Sequence, residues 1–179
     1  MERLYKKGFY VFHDWDSGRG NVDHFVIGPQ GVSVVETKAS TSEISGESGK
    51  LLRNGKPIPG KDVTRQAMAE AMIVRDLLRS SSGTEAFVHP VLCLSSATLS
   101  SNGPINNVEI TNLGSLNRFI MTQRERYSPE EIKAIARLLE KRLEISPVAG
   151  SDRPPERRCK TTWMYWTVRE LRPESSFER

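Results

Sequence analysis

Short runs of β-branched and aromatic residues, broken by turn residues, fill the first third of the chain. Two of these runs, residues 22–27 and 32–38, are separated by the sequence Gly-Pro-Gln-Gly. Proline and glycine at such places favour a tight turn between two strands. The pattern therefore predicts a β-hairpin that closes on Pro29 and Gln30.

The register of this hairpin follows from its polar positions. With Gly28 opposite Gly31, Asp23 lies opposite Glu36, and side chains alternate between the two faces. One face then carries Asp23, Phe25, Ile27, Val32, Val34, Glu36 and Lys38. A slip of one residue would move Glu36 to the other face and mix polar residues into the apolar stripe. The clean segregation favours the first register.

Shorter patterns predict further strands. Asn54-Gly55 is a strong signal for a type I′ hairpin turn, and residues 39–49 read as a loop or an irregular strand. The mostly apolar run around Pro90 predicts a buried central strand that starts or bulges at the proline. These further strands are predicted at residues 9–13, 51–53, 56–58, 86–94 and 108–111.

Helical periodicity predicts three helices, at residues 61–79, 113–123 and 128–143. The first has a narrow stripe of apolar residues suited to lying on a sheet: Val63, Ala67, Ala71, Val74 and Leu78. In the second, Leu113 and Leu116 are expected to face inward. In the third, Ser128 and Glu131 form a capping box around Pro129. The order of elements predicts an α/β fold with helices flanking a mixed central sheet.

Composition narrows the class of protein. A chain of 179 residues with 27% charged and 37% hydrophobic residues suits one globular domain and an appendage. The net charge of +4 leans towards a polyanionic partner. Cys93 and Cys159 are too few for a disulfide framework or a four-ligand zinc site. No apolar run is long enough for a membrane span or a secretion signal, so a cytoplasmic protein with no membrane partner is expected.

The paired acids carry the chemistry. Asp23 and Glu36 on opposed strands repel each other, with Cβ atoms roughly 4.5–5.5 Å apart. Lys38 lies about 6.6 Å beyond Glu36 along its strand and offsets part of that repulsion. A hard divalent cation shared by the carboxylates would offset the rest. A metal ion beside a lysine is suited to hydrolysing a phosphodiester.

These residues also resemble a known family. Asp23, a strand–turn–strand and the triplet Glu36-Thr37-Lys38 resemble the signature of PD-(D/E)xK nucleases. The string NVDHFVIGPQGVSVVETKAS is similar specifically to the nuclease-related domain (NERD) branch of that superfamily, and the resemblance covers most of residues 3–145. The triplet ending at Lys133 has the same spacing, but it lies on a predicted helix and reads as surface charge.

The resemblance implies a restriction-endonuclease-like α/β core and hydrolysis of DNA phosphodiesters that depends on Mg²⁺ or Mn²⁺. It implies that Asp23 and Glu36 bind the metal, together with the main-chain carbonyl of Thr37. Lys38 would position the attacking water and stabilise the developing charge. Gln66 would lie near the metal and orient Lys38 or the substrate phosphate. An ordinary exposed glutamine of the helix is the alternative interpretation of Gln66, and the sequence favours neither of the two.

One departure from the family changes the expectations. Relatives carry a helix before the first strand, with a further acid that helps to hold the metal, and here only residues 1–7 precede Gly8. The sequence therefore predicts that most of this helix and its acid are missing, and that activity is weak and favours Mn²⁺. The alternative function is a nucleic-acid-binding or interaction module that keeps the fold without cleaving.

The missing helix also predicts an uncovered sheet face near Phe9 and Val11, which a homodimer or the tail would cover. The predicted nuclease-like domain ends at residue 145, and residues 146–179 form a linker and a tail. In the tail, Trp163, Tyr165 and Trp166 lie among basic residues. They either stack on single-stranded bases, or belong to a poorly ordered tail or to a short strand that covers an exposed apolar patch.

Overall fold

A computed structural model describes residues 4, 7–60, 62–82, 86–100 and 103–145 of the chain. The chain divides into two compact units, Met1–Ser146 and Pro147–Arg179. The tail with Trp163, Tyr165 and Trp166 lies outside the described residues, so its role stays a prediction.

Nine strands and three longer helices make up the described part of the chain. The strands are β1 (Tyr10–Asp16), β2 (Asn21–Gly28), β3 (Gly31–Lys38), β4 (Glu43–Glu47), β5 (Lys50–Arg53), β6 (Lys56–Pro57), β7 (Val88–Leu94), β8 (Thr98–Leu99) and β9 (Glu109–Asn112). The helices are α1 (Val63–Ser82), α2 (Leu113–Thr122) and α3 (Pro129–Ile145).

The strands form two sheets. The larger has the order β1-β2-β3-β7-β9, antiparallel across β1, β2 and β3 and parallel across β3, β7 and β9. The smaller has the order β6-β5-β4-β8. The predicted α/β class with a mixed sheet is confirmed. Of the two alternatives for residues 39–49, the strand is the correct one, because β4 lies there.

The β2–β3 hairpin has the predicted register. Gly28 pairs with Gly31, Ile27 with Val32, and Phe25 with Val34. These paired apolar residues are fully buried, because α1 and α3 cover the face of the sheet that carries them. That core consists mainly of Phe25, Ile27, Val32, Val34, Ala71, Val74, Leu78, Ile132 and Leu139.

Helix α2 covers the other face of the large sheet. Its Leu116 and Ile120 pack with Leu4, Phe9 and Val11 in one buried cluster, which also includes Val26, Val35, Val91 and Cys93. The prediction of an uncovered face near Phe9 and Val11 is therefore wrong, since Leu4 and α2 supply the missing cover. The expected homodimer through that face loses its physical reason.

Phe9 explains why residue 28 is a glycine. The Phe9 ring lies so close to the Gly28 Cα that an added Cβ would overlap the ring. We expect Gly28→Ala to destabilise the fold by about 1–3 kcal/mol, as overpacking of a filled core does, measured by urea unfolding. In the background of Phe9→Ala the same change should cost much less. Equal costs in both backgrounds would contradict this steric explanation.

Local chemistry fixes several element boundaries as predicted. Asn54 and Gly55 both have positive φ, at 50° and 74°, as a type I′ turn requires. The Ser128 N–H donates to Glu131 Oε2 and the Glu131 N–H donates to Ser128 Oγ, so the capping box at the start of α3 is formed.

Two details differ from the sequence predictions. Leu113 is 55% exposed at the first position of α2, directly after the cap residue Asn112, and the buried residues of the helix are Leu116 and Ile120. Pro90 lies inside β7 rather than at its start. It is tolerated there because pairing with β9 begins only at Val91, which frees the β9 side of Pro90 from the ladder.

Candidate functional site

The predicted acid on β2 connects the ends of the hairpin strands. The last ladder pair between β2 and β3 is His24 with Val35. Beyond it, the Thr37 N–H donates to Asp23 Oδ2 at 2.9 Å. The Asp23 carboxylate thus takes the place of a main-chain acceptor, and this bond holds it beside the Glu36-Thr37-Lys38 segment.

Glu36 is the most deeply buried acid of the site, with 1% of its surface exposed. It lies on the α1 face of β3, directly after the buried apolar residues of that strand. Its Oε1 contacts the Lys38 Nζ, and the Lys38 side chain is 38% exposed. Among the described residues no hydrogen-bond donor reaches Glu36 Oε2. A buried carboxylate with a single cationic partner is costly unless another positive charge joins it.

Helix α1 brings a third acid that the sequence analysis did not single out. Glu70 is 5% exposed, and its pKa is raised from the ordinary value of 4.5 to about 8. Burial is the main cause, and Glu36 and Asp23 raise the pKa further because their negative charges disfavour a third one. The surroundings of Glu70 therefore disfavour the negatively charged form of its carboxyl group.

Gln66 contacts this third acid. Its Nε2 donates to Glu70 Oε1 at 2.9 Å, one helical turn further along α1. This bond acts against the rise in the pKa of Glu70, because it favours the charged form. The start of the helix is fixed by Asp62, whose Oδ1 accepts from the Thr64 and Arg65 N–H groups. The Gln66 side chain is half-buried and not exposed, and its role at the site stays a prediction.

Two concave regions of very different size lie on the described surface. The smaller, about 120 Å³, is lined by Lys38 and Arg53 together with apolar residues of β4, α1 and β7. The larger, about 530 Å³, lies between β1, α1 and α3 and includes Trp15, Arg19 and Arg79. The smaller region contains the predicted site residue Lys38, and the larger one contains none of the predicted site residues.

The nuclease-related domain family model matches residues 1–95, which is more than half of the 179-residue chain. The chain belongs to the nuclease-related domain family. The matched segment contains Asp23, Glu36, Lys38 and Gln66, and it also contains Glu70. No curated protein and no solved structure matches the chain.

The acids of this nuclease-related domain do not surround a common point. In the described part of the chain, no group of three or more His, Cys, Asp and Glu side chains is set to hold a metal ion. The donor set nevertheless fits a hard cation, because Glu36 Oε2 and Glu70 Oε2 are buried oxygens without a donor. Lys38 supplies positive charge to Glu36 through its contact with Oε1.

The second Glu-x-Lys triplet of the nuclease-related domain has a different role. Glu131 completes the capping box of α3, and Lys133 is exposed on the same helix. The prediction that this triplet is ordinary surface charge is consistent with both positions. No helix in the described residues is both long and apolar enough to cross a membrane.

Proposed function

We propose that this chain is a nuclease that hydrolyses DNA phosphodiester bonds with the help of Mg²⁺ or Mn²⁺. The observation that carries the proposal is the convergence of Asp23, Glu36 and Lys38 at the end of one hairpin, with Glu36 buried and short of positive charge. Burying a carboxylate with a single cationic partner does not stabilise a fold.

Asp23 and Glu36 would hold the metal ion, and the Thr37 carbonyl stays a predicted third ligand. A bound divalent cation would supply charge neutralisation of the phosphate and a water of lowered pKa. The Thr37 N–H already holds Asp23 Oδ2, which leaves the other carboxylate oxygen of Asp23 as a ligand.

Lys38 would act on the substrate. Hydrolysis forms a P–O bond from the water oxygen and breaks the ester P–O bond, and negative charge grows on the phosphate oxygens between these events. An ammonium group stabilises that charge most where water is scarce. Arg53 lines the same small cavity as Lys38, so both cations can contact one phosphate group there.

Nucleic acid, and DNA in particular, is the proposed partner. The net charge of +4 favours a polyanion. The larger concave region carries Arg19 and Trp15, together with Arg79 and its ion-pair partner Asp76. Basic and aromatic side chains together bind the phosphates and bases of single strands. A cytoplasmic location stays a prediction.

Asp23→Asn tests the proposal. The amide keeps an oxygen that can accept from the Thr37 N–H but loses the negative charge that a metal needs. We expect cleavage of supercoiled DNA with Mn²⁺ to fall below detection, and Mn²⁺ binding measured by calorimetry to weaken by at least about tenfold. Thermal unfolding without metal should change little or shift upward, because repulsion between the acids is reduced.

The matched control is Asp16→Asn. Asp16 is an exposed acid of β1 whose Oδ1 accepts from the Gly18 N–H, and asparagine keeps that acceptor. This variant should cleave and bind Mn²⁺ like the wild type. A wild-type protein that binds DNA but neither Mn²⁺ nor Mg²⁺ would instead support the alternative, a binding module that has lost cleavage.

A further inference from the structure

Glu70 occupies a place where a structural side chain would be apolar. It precedes Ala71 on α1, and Ala71 packs with Val74 against the β3 side chains Val32 and Val34. Glu70 is 5% exposed, so its carboxyl group is surrounded by protein. Placing an acid here costs stability unless a partner compensates it.

The partners of Glu70 leave one oxygen open. Gln66 Nε2 donates to Glu70 Oε1, which fixes the carboxyl group from the N-terminal side. The carboxyl group of Glu36 lies within hydrogen-bonding reach of Glu70. Glu70 Oε2 is buried, and no N–H group or hydroxyl in the described part of the chain donates to it. The same is true of Glu36 Oε2, on the strand that α1 covers. A cation between these two adjacent buried acids would compensate the negative charge of both.

We propose that Glu70 is a metal ligand, and that it supplies from α1 the third carboxylate of the site formed with Asp23 and Glu36. This inference rests on the proposed metal-dependent function. It gives the site the further acid that the sequence analysis expected from a helix before β1. Helix α1 follows the hairpin instead of preceding it, and it reaches the site from the face that carries Glu36.

Gln66 then acts as a positioning residue. Because its amide holds Oε1, Oε2 is the oxygen of Glu70 that remains for a metal ion. Side chains that orient a ligand through a hydrogen bond are typical neighbours of metal sites. Three carboxylates and Lys38 leave a net negative site, which suits a divalent cation with oxygen ligands.

Direct metal binding tests the inference without relying on activity. Mn²⁺ binding to the full chain is measured by calorimetry and by the loss of the free-ion EPR signal. Glu70→Gln keeps the shape and the bond with Gln66 but removes the charge. We expect Mn²⁺ affinity to fall about 100-fold, since even groups that only orient a ligand are worth about 10- to 100-fold. Asp76→Asn, an exposed acid on the same helix, is the control and should bind like the wild type.

The outcomes separate the two proposals. A wild type that binds Mn²⁺, together with a Glu70→Gln variant that binds equally well, overturns the role of Glu70 and leaves the proposed function standing. A wild type that binds no Mn²⁺ overturns both. If Glu70→Gln does not fold, Glu70→Asp takes its place: the charge remains, but the shorter side chain withdraws the ligand. Weaker Mn²⁺ binding by that variant supports the inference, and unchanged binding overturns it.

Discussion

Replacing Lys38 by alanine is expected to slow metal-dependent DNA cleavage by about a thousandfold while leaving Mn²⁺ binding in place. A lysine that stabilises charge only in the transition state affects the rate and not the affinity for the metal. The structure adds that Lys38 contacts Glu36 Oε1. Its removal therefore also frees a carboxylate oxygen, and Mn²⁺ should bind at least as tightly as in the wild type. Single-turnover cleavage and calorimetry measure the two effects separately.

Lys133→Ala is the matched control, since Lys133 has the same spacing from Glu131 as Lys38 has from Glu36. Lys133 is exposed on α3, so its removal should change neither rate nor metal binding. Equal losses in the two variants would contradict the assignment of the triplet at the end of β3. A loss of Mn²⁺ binding in Lys38→Ala would show that Lys38 supports the fold of the site instead of the reaction.

The stability of the metal-free protein is expected to fall as the pH rises from about 4.5 to about 8, because of Glu70. Its pKa is raised to about 8, so the folded protein keeps a proton that the unfolded chain releases near 4.5. Below 4.5 both states are protonated and the stabilisation is complete. Through the window each pH unit costs up to about 1.4 kcal/mol, and above 8 the loss levels off. Urea unfolding in EDTA at several pH values measures this slope.

Glu70→Gln isolates the effect, because glutamine cannot lose a proton and resembles the protonated acid. The variant should be more stable than the wild type at pH 8 without metal, and the difference between the two should vanish near pH 4.5. The histidines act in the opposite direction: burial lowers the pKa of His13, His24 and His89, so their contribution is lost as the pH falls below 6.5. Both proteins contain the same histidines, so the histidine contribution cancels in the difference between their free energies of unfolding. Parallel curves for the two proteins would contradict the raised pKa of Glu70.

The hairpin could be predicted from sequence because its information is local. The turn at Pro29 and Gln30 sets the register, and a two-residue period assigns each side chain to a face. The information that brings the three acids and the lysine together is less local in the sequence. Asp23 and Glu36 could be paired from the register, whereas the bond from Asp23 to the Thr37 N–H depends on where the ladder stops.

Glu70 was missed although the sequence held a signal for it. Glu70 lies at helical spacing from Ala67 and Val74 and next to Ala71, so it falls on the apolar stripe of α1. An acid at such a position contradicts the pattern. A single acid in such a stripe can also lie at its edge and reach solvent. Only the packing of α1 on β3 shows that this one is buried beside Glu36. The covering of Phe9 by Leu4 and α2 was missed for the same reason, since it joins segments that are far apart in sequence.

The outermost strand β1 has a consequence for behaviour at high concentration. Within the described residues its neighbour is β2 alone, so its other edge is open to strand addition by a second chain. Asp14 distorts this strand: the ladder with β2 pairs His13 with His24 and Trp15 with Val22 but passes over Asp14, which has a φ of 49°. A charged residue in a left-handed conformation is a poor template for edge-to-edge pairing. We therefore expect Asp14 to make β1 a poor edge for pairing with a second chain.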